Sequence, residues 1–140
     1  MNHFVFVYGT LKEGFPNFAT NQGLRKPGRF RTRQRYPFYL VGERHSPWLI
    51  DTPGVGERIA GQVFEVDQAT LEAMDRLERI AEADGYRRVT LEVAAEDGSS
   101  LSAFAYLQQA RLLVPAEIRL GPLPEYTLEH AALYRPRSAT

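Results

Sequence analysis

Four consecutive apolar, β-favouring residues, Phe4-Val5-Phe6-Val7, run directly into Tyr8-Gly9-Thr10-Leu11-Lys12-Glu13-Gly14. A short continuous run of this kind fits a strand covered on both faces rather than one with a wet side. Gly9 then interrupts the run: glycine permits a positive φ and lets the backbone approach another group closely. Gly14 and Pro16 close the loop. A buried strand opening into such a loop presents backbone N–H groups at the edge of a core, where they suit a carboxylate or a developing oxyanion. Two readings stand at this point, an ordinary turn after a first strand and a binding loop. Nucleotide phosphate binding is excluded. Gly9 and Gly14 have the phosphate-loop spacing, but Phe15 and Pro16 stand where Lys and Ser/Thr are required.

With 140 residues, the chain suits one domain, 1–140, with a substantial core. Its formal net charge of +0 supplies no overall field to attract nucleic acid or an acidic membrane. It has no cysteine, so disulfides, thiolate nucleophiles and cysteine metal sites are excluded. The first residues carry no basic leader or cleavage site, and no apolar run approaches the ~20 residues of a membrane span. A cytoplasmic location is expected.

Turn signals and periodicity divide the rest of the chain. Pro16-Asn17 opens a helical candidate of one or two turns over 18–24. From Arg29, period-two alternation puts Arg29, Arg31, Arg33 and Arg35 on one face of an extended strand. That stripe reads either as a solvated face that discourages edge pairing or as a basic surface for RNA. Apolar extended segments follow at 37–41 and 48–50, then the loop 51–57, whose two glycines and proline suit either a mobile flap or a plain connection. The spacing predicts a strand over 59–66 with Gly61 marking a bulge or close approach, and a helix over 68–80 capped by Asp67. It also predicts a strand over 86–94, an Asp97-Gly98 hairpin turn, a partner strand over 101–107, and a short helix over 126–133. About six strands not alternating regularly with helices argue for an α+β fold, a small mixed β-barrel with flanking helices.

The helix over 68–80 holds a carboxylate out of pattern. Leu71, Met74, Leu77 and Ala81 define an apolar stripe, and Glu72, Asp75, Arg76 and Arg79 a wet face. At about 100° per residue, Glu78 falls roughly 20° from Leu71 and about 40° from Met74. A carboxylate facing a core is costly unless paired, and partial burial raises its pKa toward the range of a useful base. The alternative is a boundary glutamate reaching sideways to water, Arg87 or Arg88. Glu82 lies near the same line but past the expected helix end. His3, His45 and His130 are scattered with no carboxylate at ligand spacing, and there is no Gly-x-Ser-x-Gly elbow. What remains is a carboxylate with backbone donors, a set suited to proton transfer in which the substrate supplies its own nucleophile.

The string Val5-Phe6-Val7-Tyr8-Gly9-Thr10-Leu11-Lys12-x-Gly14-x-Pro16-Asn17 resembles the opening of the γ-glutamylcyclotransferase-like family. It is most like the γ-glutamylamine cyclotransferases and their bacterial relatives. The resemblance continues in order through Pro47-Trp48-Leu49, Pro53-Gly54-x-Gly56, Gly61-Gln62-Val63-Phe64-Glu65-Val66-Asp67, Leu71-x-x-x-Asp75-x-x-Glu78, Tyr86-x-Arg88 and Tyr134-x-Pro136-Arg137. It implies a small β-barrel with flanking helices and a lyase-type reaction releasing 5-oxoproline from a γ-glutamyl compound. Tyr8, Gly9, Thr10 and Leu11 would bind the γ-glutamyl moiety, Glu78 would be the general acid/base, and Tyr134 would close one side of the pocket. No cofactor or metal is implied. The expected partner is a small-molecule γ-glutamyl substrate, with no nucleic acid and no membrane. Between Glu78 and Tyr86, Arg79-Ile80-Ala81-Glu82-Ala83-Asp84-Gly85 is longer than the resemblance leads one to expect, which leaves the leaving group open.

Two alternatives keep the same sequence: a non-catalytic ligand-binding domain of this fold, and an RNA- or protein-binding module using the Arg29–Arg35 strand. For the second, no salt-sensitive gel shift with oligonucleotides is expected; a shift abolished by charge reversal of Arg31 and Arg33 would reinstate it.

Overall fold

The computed structural model describes residues 2–137. In chain order the strands are β1 (His3–Val7), β2 (Leu24–Arg25), β3 (Phe30–Thr32), β4 (Phe38–Val41), β5 (Ser46–Leu49) and β6 (Ala60–Val66). Helix α1 (Gln68–Leu77) follows, then β7 (Arg87–Ala95), β8 (Ser100–Leu107), β9 (Ile118–Leu120) and helix α2 (Leu128–Ala131). β1 pairs antiparallel with β6 and parallel with β8. β8 pairs with β7, β7 with β3, and β3 with β6, all antiparallel. The circuit β1-β8-β7-β3-β6 therefore closes on β1 as a five-stranded mixed barrel, with β2 added along β6 beyond β3. A second sheet, β5-β4-β9, stands beside it.

Both faces of β1 are covered, as its uninterrupted apolar run predicts. Phe6, and Tyr8 just beyond, enter the barrel interior with Phe30, Phe38, Leu40, Val63, Val93, Ala105 and Leu107. Val5 and Val7 point outward and pack under α1 with Phe64, Val66, Leu71, Met74 and Tyr106. β6 and β8 alternate in the same sense: Val63 and Ala105 face in, Phe64 and Tyr106 out. The barrel wall is thus one layer between two apolar clusters.

The mixed barrel with flanking helices is the expected fold. Its strands number nine among the described residues rather than about six; β2 and β9, two of the additional ones, are too short to leave a period-two signature. The arginine strand shortens to Phe30–Thr32. Thr32 ends it, its hydroxyl accepting from the Ile59 N–H and donating to the Gln34 carbonyl. The candidate helix at 18–24 is a single 3₁₀ turn, Phe18–Thr20, before the chain extends into β2. The short C-terminal helix contracts to Leu128–Ala131, where His130 and Thr127 form a capping box.

Asp67 caps α1 through the Thr70 N–H at 2.8 Å, as the sequence predicts. The helix stops at Leu77, not at 80. Arg79 takes a left-handed φ of 56°, the Ile80 N–H reaches back to Asp75, and the chain returns so that the Tyr86 N–H donates to the Glu78 carbonyl. The predicted stripe is corrected accordingly. Leu71 and Met74 are buried, but Leu77 is 37% exposed and Ala81 is exposed. Leu77 lies about 60° round from Met74, away from Leu71, and the turn at Arg79 substitutes Ile80 for Ala81 against the outer cluster. The loop 51–57 is a pinned connection. Tyr36 and Glu57 exchange backbone hydrogen bonds and the Gly54 N–H donates to Arg35.

Gly61 is the close approach its position in a strand suggested. A Cβ there would lie 2.5 Å from the Val7 carbonyl oxygen and 2.6 Å from the Phe6 ring. Gly61→Ala should therefore destabilise the fold by about 1–3 kcal/mol, the usual scale of overpacking. The measurement is the urea unfolding midpoint, and an unchanged or raised midpoint would contradict this packing.

Candidate active site

The end of β1 and the end of α1 open on one side of the barrel. There the loop 8–11, the C-terminal turn of α1, the β4–β5 turn, the return 84–86 and the segment 134–137 surround a cleft of about 1060 Å³. That is at the upper end of small-molecule sites. Tyr8, Gly9, Thr10, Leu11, Glu78 and Tyr134 all line it, although they come from three distant parts of the chain. The loop 51–57, Glu82 and the arginines of the β3 region do not.

Each loop residue has a distinct local role. The Tyr8 phenol turns into the core, edge-on to Phe38, and donates to the Tyr106 carbonyl at 2.6 Å. Leu11 is buried under α1. These two side chains anchor the loop and leave its main chain toward the cleft. Gly9 keeps an ordinary negative-φ backbone rather than the positive φ its type permits; its role is close approach, the Pro47 ring standing 3.0 Å from where a Cβ would be. The loop is folded on itself by hydrogen bonds from Lys12 to the Gly9 carbonyl and from Asn17 to the Thr10 carbonyl. Among the described residues, no protein acceptor takes the N–H of Gly9, Thr10 or Leu11. Three successive backbone donors are thus left without a protein acceptor in the loop that lines the cleft. The Thr10 hydroxyl accepts from Asn17 Nδ2 at 2.8 Å, and its own proton stays available.

Glu78 is the C-cap of α1, its N–H bonded to Met74 and its side chain on the line that Leu71 and Met74 begin. Among the described residues it forms no ion pair with Arg87 or Arg88, two of the partners its boundary reading allows. Arg88 instead binds Asp75 at 2.6 Å, and Asp75 also accepts from the Tyr106 hydroxyl at 2.7 Å. Burial pushes the Glu78 carboxyl up to about 7, against a smaller downward pull from Arg44. Its phenolic neighbours Tyr8 and Tyr86 are both raised well above the ordinary tyrosine range, chiefly by burial, so they stay protonated. The Tyr86 hydroxyl donates to the Pro47 carbonyl at 2.7 Å. A carboxyl balanced near neutrality beside unengaged N–H donors can take and return one proton while an oxyanion forms next to it.

A family model described as "Gamma-glutamyl cyclotransferase, AIG2-like" matches residues 5–126. The chain belongs to this family. Among its curated relatives, the gamma-glutamylaminecyclotransferase of Bos taurus is 36% identical over 95% of the chain and 82% of its own length. That of Homo sapiens is 34% identical over 95% and 96%. The solved structure of an AIG2-like protein from Mus musculus superposes with a TM-score of 0.81 at 32% identity, covering 99% of each chain. The mixed five-stranded barrel is thus the family's fold.

Arg44, Asn17 and Tyr86 lie in the cleft without having been singled out. Arg44 sits in a polar turn with no periodicity to mark it. Asn17 reads from sequence as the start of a helix, and Tyr86 as the first residue of a strand. The segment 79–85 forms part of the wall, tied by an Arg79–Asp84 ion pair at 3.2 Å and by Gln108 Nε2 donating to the Asp84 carbonyl.

The raised Glu78 pKa has a stability consequence. Below its ordinary value of 4.5 the carboxyl is protonated in both folded and unfolded chains. Between about 4.5 and about 7 only the unfolded chain ionises, so the folded state loses stability as pH rises through the folded pKa. Glu78→Gln escapes that loss. Its Tm relative to the parent should climb between pH 4 and pH 8, by differential scanning calorimetry; a flat difference would mean that the carboxyl is not held neutral.

Proposed function

We propose that this γ-glutamyl cyclotransferase family member acts on γ-glutamylamines, with Glu78 as general acid/base and the loop 8–11 as the binding site for the γ-glutamyl group. The observation that carries this reading is the meeting, in one cleft, of a carboxyl with a pKa of about 7 and the unengaged N–H groups of Gly9, Thr10 and Leu11. The curated relatives named gamma-glutamylaminecyclotransferase match along nearly the whole chain, which supports the choice of amine.

In this mechanism the ionised Glu78 takes a proton from the substrate's α-ammonium. The freed amine attacks the γ-carbonyl carbon of the same molecule, forming the ring C–N bond and placing negative charge on the carbonyl oxygen. The loop N–H groups and the Thr10 hydroxyl stabilise that charge; one such donor is typically worth about 3–4 kcal/mol of barrier. Glu78 returns its proton to the departing nitrogen as the original amide bond breaks, and the ring nitrogen gives up its second proton to the released amine, leaving 5-oxoproline and an ammonium. The attacking nitrogen and its carbonyl belong to one bound substrate, so holding the loop of the γ-glutamyl chain replaces a collision with a ring closure. Tyr134 closes the outer side of the cleft.

Incubation with γ-glutamyl-ε-lysine, γ-glutamyl-alkylamines and γ-glutamyl-amino acids should release 5-oxoproline, fastest with the γ-glutamylamines. The kcat/KM should rise with pH through about 7 as Glu78 ionises. Glu78→Gln should retain the fold and lose about 10²-fold or more of turnover. A folded Glu78→Gln variant turning over at the parental rate would falsify the assignment. Binding of 5-oxoproline without any turnover of the panel would favour the non-catalytic alternative.

A further inference from the structure

The segment 134–137 reaches the cleft after α2 and has no strand pairing to hold it there. Among the described residues, Arg44 makes most of the hydrogen bonds that hold it. Arg44, in the turn between β4 and β5, donates from Nε to the Arg135 carbonyl at 2.9 Å and from Nη2 to the Tyr134 hydroxyl at 3.2 Å. The Arg44 carbonyl accepts the Arg135 N–H at 2.9 Å, and its guanidinium carbon lies 5.6 Å from the Tyr134 ring centre. The Tyr134 oxygen also accepts from Asn17 Nδ2 at 3.3 Å, and that same amide nitrogen donates to Thr10 Oγ1. A continuous polar chain therefore runs from the loop 8–11, through Asn17 and Tyr134, to Arg44.

Arg44 and Glu78 line the same cleft. The other groups around that carboxyl are the Tyr8, Tyr86 and Tyr106 phenols, all kept protonated by burial. Of the charges near its own end of α1, Asp75 is paired with Arg88, Arg79 is paired with Asp84, and Arg76 lies on the exposed side. Glu43, Arg44, Arg76, Glu117, Arg119 and Arg137 also line the cleft, and of these it is Arg44 that pulls the Glu78 carboxyl down, against the larger upward effect of burial.

We propose that Arg44 is a positioning residue with two separable effects: its hydrogen-bond fork fixes the C-terminal strap 134–137 as the cleft's outer wall, and its positive charge keeps Glu78 available as a base. This rests on the reading of Glu78 as the acid/base and adds to it a residue that acts through Glu78 and Tyr134. The arrangement uses what distinguishes arginine from lysine. A planar fork can donate to the Arg135 carbonyl and the Tyr134 hydroxyl at once, whereas an ammonium supplies the charge without that geometry.

Arg44→Gln and Arg44→Lys separate the two effects, with Glu78→Gln alongside. The readouts are the pH profile of kcat/KM on γ-glutamyl-ε-lysine and the ¹³C titration of the Glu78 side-chain carboxyl in the free enzyme. Arg44→Gln should move both the acidic limb and the carboxyl titration upward by about one pH unit, the low end for loss of a neighbouring opposite charge. Arg44→Lys should keep both near the parental position while raising KM several-fold with kcat little changed. Tyr134→Phe should raise KM in the same way with the acidic limb in place, and it carries the strap arm of the test if Arg44→Gln does not fold. A folded Arg44→Gln with the parental titration overturns the electrostatic half of the proposal, and a parental KM in both Arg44→Lys and Tyr134→Phe overturns the strap. An active Glu78→Gln would defeat the proposed mechanism itself, whereas an inactive Glu78→Gln beside unaltered Arg44 variants defeats only this inference.

Discussion

The packing of β1 on both of its faces is the constraint from which the site follows. Phe6 and Tyr8 must be inside the barrel and Val5 and Val7 under α1, so the strand can leave the core only where helix and barrel meet. Gly61 is part of the same constraint, since a side chain there would strike β1 at the Val7 carbonyl and the Phe6 ring. The loop 8–11 consequently emerges beside the end of α1, with the Tyr8 phenol and the Leu11 side chain holding it from below. With both side-chain anchors turned in, Gly9, Thr10 and Leu11 line the cleft and their N–H groups have no protein acceptor among the described residues.

The end of α1 is placed by a different set of interactions. Leu71 and Met74 seat the helix on the barrel wall, and Asp75 binds Arg88 of β7 and the Tyr106 hydroxyl of β8. These contacts set the helix rotation and leave the next position on the apolar line, Glu78, with no cation bonded to it. The carboxyl is then desolvated by the same packing that seats the helix, offset in part by Arg44. A neutral residue at 78 would suit the helix better. An unpaired carboxyl there costs stability at neutral pH, as perturbed groups at functional sites commonly do, which agrees with the proposed acid/base role.

Much of this could be read from the chain itself. The strand at 4–7, the close approach at Gly61, the Asp67 cap and the displaced Glu78 all announce themselves through local rules: continuous hydrophobicity, glycine in a strand, cap chemistry and helical phase. The misses share one cause. The helix was extended three residues too far because Ile80 and Ala81 continue a helical pattern locally, while the left-handed Arg79 and the hydrogen bond from Tyr86 to Glu78 are decided by where β7 must begin. Strands β2 and β9 were missed because two- and three-residue strands are defined by their partners and not by their own alternation.

By itself, then, the sequence determined the barrel class and, through its motifs, the family, and it marked the loop 8–11 and the off-pattern Glu78 as candidates, because each is written in contiguous residues or in a short period. Only the tertiary structure decided that the loop and Glu78 share one cleft, that Arg88 serves Asp75 rather than Glu78, and that Arg44 and the strap 134–137 complete the wall. Those facts depend on contacts between residues up to 117 positions apart, as from Asn17 to Tyr134. Such contacts leave no periodic trace along the chain, and they exist only once the barrel has closed.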